Sequence, residues 1–183
     1  GHLVTSKIEH HAVLHSMEAL EKEGFEVTYL DVDEDGLVNP EDIKKVLRPD
    51  TILVSIMYAN NEIGTIEPIS EIAEVVKKYR REKQKLQPNS YILQPPFFIT
   101  DACQAAGALE MDVQKLGADL LALNASKMYG PKGVGALYHK KGIRLKPIIY
   151  GGGQENMLRS GTENVPGIIG FAKALELAQD ECA

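Results

Sequence analysis

Short continuous apolar runs alternate along the chain with segments in which apolar residues recur every three or four positions. Continuous runs are typical of strands that are covered on both faces, because neither face of such a strand meets water. Alternation of strands with helices favours the α/β class, in which helices flank a mostly parallel sheet. Six strands are predicted: His2–Ser6, Phe25–Val32, Thr51–Ala59, Phe97–Asp101, Asp119–Leu123 and Gly135–His139.

The helical pattern is clearest after the first strand. Val13, Met17 and Leu20 lie at positions i, i+4 and i+7, which places them on one face of a helix, and Gly24 follows where that helix would end. The other predicted helices begin after Pro68, run from Pro40 through Leu47, and occupy Thr162–Glu181.

Composition narrows the class of protein. The chain has 183 residues, of which 44% are hydrophobic and 25% are charged, so it can bury one domain-sized core. A net charge of −6 gives no electrostatic support for nucleic-acid binding. The sequence has no apolar segment long enough for a bilayer and no signal-peptide pattern. Two cysteines do not suggest a disulfide framework, so we expect a cytoplasmic protein. From the charge and the missing apolar segment we expect neither nucleic-acid nor membrane partners.

The ends of the sequence suggest a piece of a longer protein. The chain starts without a methionine, with a strand already under way, and stops inside the last predicted helix. We therefore expect residues 1–183 to form a single domain within a longer chain. Residues 86–97, "LQPNSYILQPPF", are rich in proline and lie between a helix and a strand, which predicts an inserted surface loop.

Polar side chains follow four of the predicted strands. Taken singly, each has a structural interpretation, such as a helix cap for a histidine or an aspartate and a turn for paired asparagines. The carboxyl ends of parallel strands share one edge of a sheet, however, and ligands collect there. Together these residues predict a binding or catalytic site: His10, Asn60, Asn61, Glu62, Asp101, Cys103, Gln104, Ser126 and Lys127.

A lysine, a carboxylate and a histidine together suit pyridoxal phosphate. This cofactor needs a lysine amine to form a Schiff base and a carboxylate to keep its pyridine nitrogen protonated, so that the ring can act as an electron sink. Asp101 and Lys127 are 26 residues apart, one strand–helix–strand step, which could bring them to neighbouring strand ends. Other ligand motifs are missing from the sequence: there is no Walker A loop, no G-x-G-x-x-G fingerprint, and no C-x-x-C or H-E-x-x-H to support a metal site.

Five stretches, taken in order, resemble the successive motifs of a known family. They read "SKIEHHAVL", "YANNEIGTIEPI", "TDACQAAG", "SKMYGPKGVGALY" and "GGGQENMLRSGTEN". They resemble the class V aminotransferase superfamily, and in particular the cysteine desulfurases that supply sulfur to iron–sulfur cluster assembly. The resemblance implies the central portion of the large, cofactor-binding domain of fold type I, a homodimer, and pyridoxal 5'-phosphate as cofactor. It further implies conversion of L-cysteine to L-alanine, with sulfur passed to an enzyme cysteine as a persulfide and on to an acceptor scaffold protein.

The resemblance also implies the catalytic residues. Lys127 would form the Schiff base with the cofactor. Asp101 would pair with the pyridinium nitrogen, and His10 would stack on the ring.

Four further residues would bind the cofactor if the resemblance holds. Asn61 and Gln104 would hydrogen-bond near the ring hydroxyl, and Ser126 would donate to the phosphate. Thr162, in "RSGT", would reach the phosphate of the partner subunit's cofactor. Before the lysine, family members commonly have Ser-Gly-His, whereas this chain has Asn-Ala-Ser starting at Asn124, so the phosphate contacts here depart from the pattern.

Other family features have no counterpart in this sequence. Asn156 stands where related sequences often carry arginine. Three family features are not present: the loop with the sulfur-accepting cysteine, the arginine that binds the substrate carboxylate, and the upstream phosphate loop. We expect Cys103 to be packed rather than nucleophilic, and we do not nominate Cys182 as the sulfur acceptor. The chain alone is therefore expected not to turn over cysteine. The alternatives are a selenocysteine lyase, a kynureninase-like or aminotransferase-like class V enzyme, or a partner-binding module that has lost the cofactor.

Overall fold

A six-stranded sheet with the strand order β2-β1-β3-β4-β5-β6 organises the chain. The computed structural model describes residues 1–85 and 94–181. Neighbouring strands pair in parallel from β2 through β5, and only β6 runs antiparallel to its neighbour within the described residues. The strands are β1 His2–Ser6, β2 Glu26–Leu30, β3 Thr51–Ser55, β4 Phe97–Asp101, β5 Leu120–Asn124 and β6 Gly135–His139.

Five α-helices connect these strands in the described part of the chain, together with two 3₁₀ turns. The predicted helices are all present, and Pro40 occupies the first turn of α2, where its missing N–H costs nothing. The helices are α1 His11–Lys22, α2 Pro40–Val46, α3 Ile69–Lys85, α4 Val113–Leu116 and α5 Val165–Glu181, and the 3₁₀ turns are Ala125–Met128 and Glu155–Met157.

The predicted extents of some elements are wrong. The third strand was expected to run to Ala59 but ends at Ser55. Beyond that point the amide of Met57 bonds to the Glu9 side chain rather than to β1, although the amides of Ile56 and Tyr58 still bond to carbonyls of β4. The last helix begins at Val165 and not at Thr162, since Asn164 accepts a hydrogen bond from the Gly167 amide at the start of the helix.

Three other boundaries differ from the prediction. The second strand is shorter than 25–32, and the fifth is shifted one residue towards its carboxyl end. Of the predicted inserted loop, residues 86–93 lie outside the described residues. The loop was expected to extend to Phe97, but this residue already pairs with Leu53 as the first residue of β4.

The main core lies between the sheet and the helices α2 and α3. Val54, Ile56 and Phe98 from the sheet meet Ile72 and Ile43 from the helices, and each is at most 1% exposed. A second, smaller cluster joins α5 to the 3₁₀ turn after β5 through Phe171, Ala125, Met128 and Ala106. The turn that carries Lys127 is therefore fixed from below by apolar packing.

A buried ion pair fastens α3 to the sheet. The Arg80 guanidinium donates to both carboxylate oxygens of Asp119, and its Nε donates to the Pro96 carbonyl at 3.0 Å. Asp119 also accepts from the Phe98 amide at 3.0 Å. Both charged side chains are at most 5% exposed, so each depends on the other to compensate its lost hydration.

Candidate functional site

The strand order creates a crevice at the carboxyl edge of the sheet. The chain passes from β1 to β2 on one side, returns to β3 on the other side, and then continues through β4 and β5. Ligands bind at such a switch point in open α/β sheets, because the loops on its two sides diverge. Residues 7–10 after β1 and residues 56–61 after β3 flank this point, and we call them the switch-point turns.

Lys127 stands on the 3₁₀ turn that follows β5. Asn124 begins this turn: its Oδ1 accepts hydrogen bonds from the Ser126 amide at 3.0 Å and the Ser126 hydroxyl at 2.9 Å. Ala125 and Met128 are buried beneath the turn, whereas Lys127 is exposed. The amine is thus presented at the sheet edge on a packed turn rather than on a long loop.

A glycine behind the lysine allows this packing. The Gly130 amide donates to the Ala125 carbonyl at 2.9 Å. A Cβ at Gly130 would lie 2.9 Å from that same oxygen and 3.1 Å from the Ala174 Cβ on α5. Any other residue here would push the turn away from the helix.

Asp101 is the last residue of β4, next to the end of β5. Its Oδ1 accepts from the Cys103 amide at 2.9 Å, so the carboxylate does cap the following turn, and its side chain is half-buried. Burial, and then the hydrogen bond with Asp101, raise the pKa of the Cys103 thiol to about 12. Cys103 is therefore a thiol rather than a thiolate at neutral pH, which is the state expected of a packed cysteine.

The paired asparagines after β3 have separate roles. Asn60 is 7% exposed and its side chain holds the turn, since its Oδ1 accepts from the amides of Glu62 at 2.8 Å and Ile63 at 3.0 Å. Asn61 is exposed. The turn predicted for the pair is present, and it leaves the Asn61 amide available to a ligand.

His10 is the N-cap of α1. Its Nδ1 accepts from the Ala12 amide at 3.1 Å, and the ring is exposed next to His11. The capping interpretation of a histidine at a helix start is thus correct, and it does not conflict with a stacking role, because a capping ring held by one nitrogen still presents its face.

Two open clefts at this edge bring some of the candidate residues together. Lys127 and Gln104 line a cleft of about 750 Å³ that runs along α5. Asn61 and Gln104 line a second cleft of about 430 Å³. The two clefts share Gln104 and Ala108, so the candidates from three different strand ends border one continuous region.

The remaining candidates lie outside the lining of these clefts: Asp101, His10, Ser126 and Thr162. Asp101 ends β4, three residues before Gln104. Thr162 is exposed in the segment before α5, where it lines neither cleft. The structure thus groups Lys127, Gln104 and Asn61 most directly.

Glu9 is the residue that the sequence-based prediction missed. It is 5% exposed, and from the first switch-point turn its side chain reaches the Met57 amide of the second. An acidic residue in a polar turn usually faces water, so nothing in its local pattern marks it as buried. Its position directly before the candidate His10 is the only signal in the sequence that could have found it.

The described residues contain no group of three or more histidine, cysteine, aspartate or glutamate side chains placed to hold a metal ion. Within the same described ranges, no helix is both long enough and apolar enough to cross a membrane.

Comparison with curated proteins gives close relatives. The cysteine desulfurase IscS of Dictyoglomus turgidum is 55% identical over 177 residues, which are 97% of this chain and 41% of that protein. The cysteine desulfurase IscS of Methanosarcina thermophila is 52% identical over 180 residues, which are 98% of this chain and 41% of that protein. The chain thus spans about two fifths of the length of the curated relatives it matches.

Solved structures and a family model agree with these relatives. A NifS-like protein superposes with a TM-score of 0.85 at 42% identity, covering 99% of this chain and 46% of that one. SspA in complex with cysteine superposes with a TM-score of 0.84 at 41% identity, covering 96% and 47%. These likenesses confirm the predicted fold class, a mostly parallel sheet flanked by helices within fold type I. Since the model for class V aminotransferases matches residues 1–182, the chain belongs to the class V aminotransferase family.

Proposed function

We propose that the protein containing this chain is a pyridoxal 5'-phosphate-dependent cysteine desulfurase. The reaction takes L-cysteine and the thiol of an enzyme cysteine to L-alanine and an enzyme persulfide, so the sulfur atom is transferred without an external oxidant. This chain is the central portion of the large domain and supplies the cofactor-binding residues. The sulfur-accepting cysteine belongs to the rest of the protein, so the chain alone does not turn over cysteine.

One observation carries the proposal. Lys127 and Asn61, which are on turns after different strands, border clefts that meet at Gln104, and Asp101 ends the strand between them. A pyridine aldehyde needs an amine to bind its aldehyde carbon, a carboxylate for its ring nitrogen and hydrogen-bond donors for its ring hydroxyl. Around this crevice lie an exposed amine, a half-buried carboxylate and two side-chain amides. The likeness to IscS proteins supports the same assignment.

The residues present fit the ring end of the cofactor. When bound, pyridoxal phosphate supplies an electron sink that stabilises negative charge at the substrate α-carbon. Asp101 would hold the proton of the ring nitrogen by its negative charge. Gln104 and Asn61 would donate hydrogen bonds that orient the ring, and His10 would cover one face. The Lys127 amine would hold the cofactor covalently and would carry a proton at the α-carbon.

The phosphate end needs further donors. The Ser126 hydroxyl donates to Asn124 Oδ1 in this structure, so donation to a phosphate requires exchange of that hydrogen bond. Thr162 is the other candidate, and it would act on the cofactor of the partner subunit. Both are exposed and so can be reached by a phosphate.

A homodimer is part of the proposal. Residues 148–169, which we call the C-terminal arm, present large apolar side chains to solvent, and Ile148 is 89% and Met157 74% exposed. Contiguous exposed apolar surface of this kind is typical of interaction sites. A second copy that covers the arm would bring Thr162 of one subunit towards the site of the other. From the relatives we also propose a cytoplasmic location and a scaffold protein of iron–sulfur cluster assembly as sulfur acceptor.

The decisive experiment uses the full-length protein and the matched pair Lys127→Ala and Lys132→Ala. Lys132 is an exposed lysine five residues further along the same loop. We expect Lys127→Ala to lose alanine production from L-cysteine by at least about 100-fold, because it removes the covalent anchor and the proton carrier. Lys132→Ala should retain wild-type activity. Equal activity of the two variants would contradict the proposal.

Borohydride reduction of the wild-type protein with pyridoxal phosphate tests the binding step separately. A modified Lys127 peptide is expected, and its absence would favour a module that has lost the cofactor. Turnover of L-selenocysteine in preference to L-cysteine by the full-length protein would instead identify a selenocysteine lyase.

A further inference from the structure

Glu9 belongs to the turn after β1, and its buried side chain accepts hydrogen bonds both from β1 and from the turn after β3. Its Oε1 accepts from the Met57 amide at 2.7 Å, after β3, and from the Ser6 hydroxyl at 3.0 Å, at the end of β1. The side chain is 5% exposed. The amides of Ile56 and Tyr58 bond to carbonyls of β4, at Ile99 and Asp101, so on that side the chain keeps a regular partner. On the side that faces β1, the Glu9 carboxyl takes the Met57 amide instead, and this contact ties the course of one turn to that of the other.

A second contact joins the same two turns. The Asn60 Nδ2 donates to the Ile8 carbonyl at 2.8 Å, while Asn60 Oδ1 holds the turn that follows. Ile8 and Glu9 come directly before His10, and Asn60 directly before Asn61. The two buried side chains, Glu9 and Asn60, therefore brace the backbone next to two candidate cofactor contacts.

We infer that Glu9 is a positioning residue of the proposed cofactor site, which ties the turn after β1 to the turn after β3 and so sets His10 and Asn61 across the switch point. This inference rests on the proposed function. Glu9 does not line either cleft, so it acts through its neighbours and not by contact with the cofactor or substrate.

The electrostatic setting of Glu9 indicates the form in which it acts. Burial raises the pKa of Glu9 to about 8, against the hydrogen bonds from the Met57 amide and Ser6, which lower it. The charged groups that act on it are Asp101 at the end of β4 and Glu67 before α3, and both raise the pKa further. Its Oε2 has no hydrogen-bond partner among the described residues. Glu9 is therefore mostly a neutral acid at neutral pH, and adds little negative charge beside Asp101.

A neutral carboxyl makes the inference testable with an isosteric amide. Glu9→Gln keeps an oxygen that accepts from Met57 and Ser6, whereas Glu9→Ala removes it. Glu67→Ala is the matched control: Glu67 is also a buried acid, 2% exposed, but its Oε2 bonds the Val38 amide, which belongs to neither switch-point turn. All three variants are made in the full-length protein.

The first measurement is the dissociation constant of pyridoxal phosphate between about pH 6 and pH 10. At neutral pH we expect Glu9→Ala to weaken binding roughly tenfold and Glu9→Gln to stay within about threefold of wild type. Wild-type affinity should fall above about pH 8 as Glu9 ionises in a buried site, and Glu9→Gln should lack this fall.

The second measurement is hydrogen–deuterium exchange of the peptides that contain residues 7–14 and 56–62, without cofactor. We expect both peptides to exchange faster in Glu9→Ala than in the wild type. In Glu9→Gln they should exchange at the wild-type rate. A melting scan of each variant shows that it is folded.

The outcomes separate the inference from the proposed function. Three results would each overturn the positioning role while the proposed function stands. The first is wild-type affinity for pyridoxal phosphate in Glu9→Ala, and the second is an equal loss of affinity in Glu9→Gln and Glu9→Ala. The third is a Glu67→Ala variant with the same loss of affinity and the same pH profile as Glu9→Ala. A wild-type protein that takes up no pyridoxal phosphate overturns both.

Discussion

The switch-point turns are irregular, and the C-terminal arm is largely irregular before it enters the start of α5, but the two segments differ in what their side chains contact. In the turns, the Glu9 carboxyl accepts from the Met57 amide of the opposite turn, and Met57 is 3% exposed. The buried Asn60 side chain donates in the other direction, to the Ile8 carbonyl. In the arm the large apolar side chains face solvent: Ile148, Ile149, Tyr150, Met157, Val165, Ile168 and Ile169.

The arm also contains backbone conformations that are unfavourable for residues with a side chain. Three successive residues of the arm, Glu155, Asn156 and Met157, have positive φ, a region that costs free energy in residues other than glycine. The hydrogen bonds of the arm join residues of the arm itself, among them the Ser160 hydroxyl to the Gly152 carbonyl at 2.9 Å and the Ser160 amide to the Ile149 carbonyl at 3.3 Å. The switch-point turns are complete within this chain, whereas the arm has the character of a surface that another molecule covers. The proposed site draws on both, with Asn61 in the first and Thr162 in the second.

The largest expected effect is from Asn60→Ala. This change removes three hydrogen bonds to backbone groups and a weaker one to the Met57 sulfur, and it leaves the Ile8 carbonyl without its donor. It should therefore lower the free energy of unfolding by about 3 kcal/mol. Gln154→Ala in the arm is the matched change, since Gln154 makes one exposed hydrogen bond, from the Gly161 amide at 3.3 Å. Urea unfolding of the full-length protein measures both. If the two changes cost the same, the turns are no better braced than the arm.

The pH dependence of the free energy of unfolding should reveal the titration of Glu9. Its pKa is about 8 in the folded protein and ordinarily 4.5, so the folded state holds the proton more tightly. Stability is then greatest at low pH and falls as the pH rises from the ordinary value to about 8. The fall should be roughly 2 kcal/mol, less than the full shift would give because the turns relax. Glu9→Gln should remove it.

Urea midpoints across this range compare wild type, Glu9→Gln and, as control, Glu155→Gln in the arm. A Glu9→Gln profile that follows wild type would show that the carboxyl is not buried as described.

The smallest effect on the subunit is expected for Ile169→Asp in the arm. Ile169 is 64% exposed, so a charge there should leave the unfolding of the subunit unchanged. If the arm is the dimer surface, the dissociation constant of the dimer should rise at least about tenfold, or about 1.4 kcal/mol. Analytical ultracentrifugation of the full-length protein measures this. Leu137→Asp, at an exposed position outside the arm, is the control, and an equal effect there would argue against the arm as the interface.

The sequence by itself determined the class of fold and nominated the residues of the proposed site. Short runs rich in apolar residues predicted β1, β4 and β6 with their observed bounds. β1 is buried along its whole length, as expected of a covered strand, whereas the first three residues of β6 are exposed. Asp101 and Lys127 could be nominated because they directly follow such runs, and the five ordered motifs then indicated the family.

Tertiary structure alone decided what the polar residues of the turns do. It separated buried Asn60 from exposed Asn61, paired Arg80 with Asp119, and committed the Ser126 hydroxyl to Asn124. It also gave the Met57 amide, just beyond the end of β3, to the Glu9 carboxyl instead of to β1. Periodicity reports only whether neighbours along the chain share a face. Whether a polar group is buried depends on which distant segment covers it and offers it a hydrogen bond, and that is a property of the folded chain.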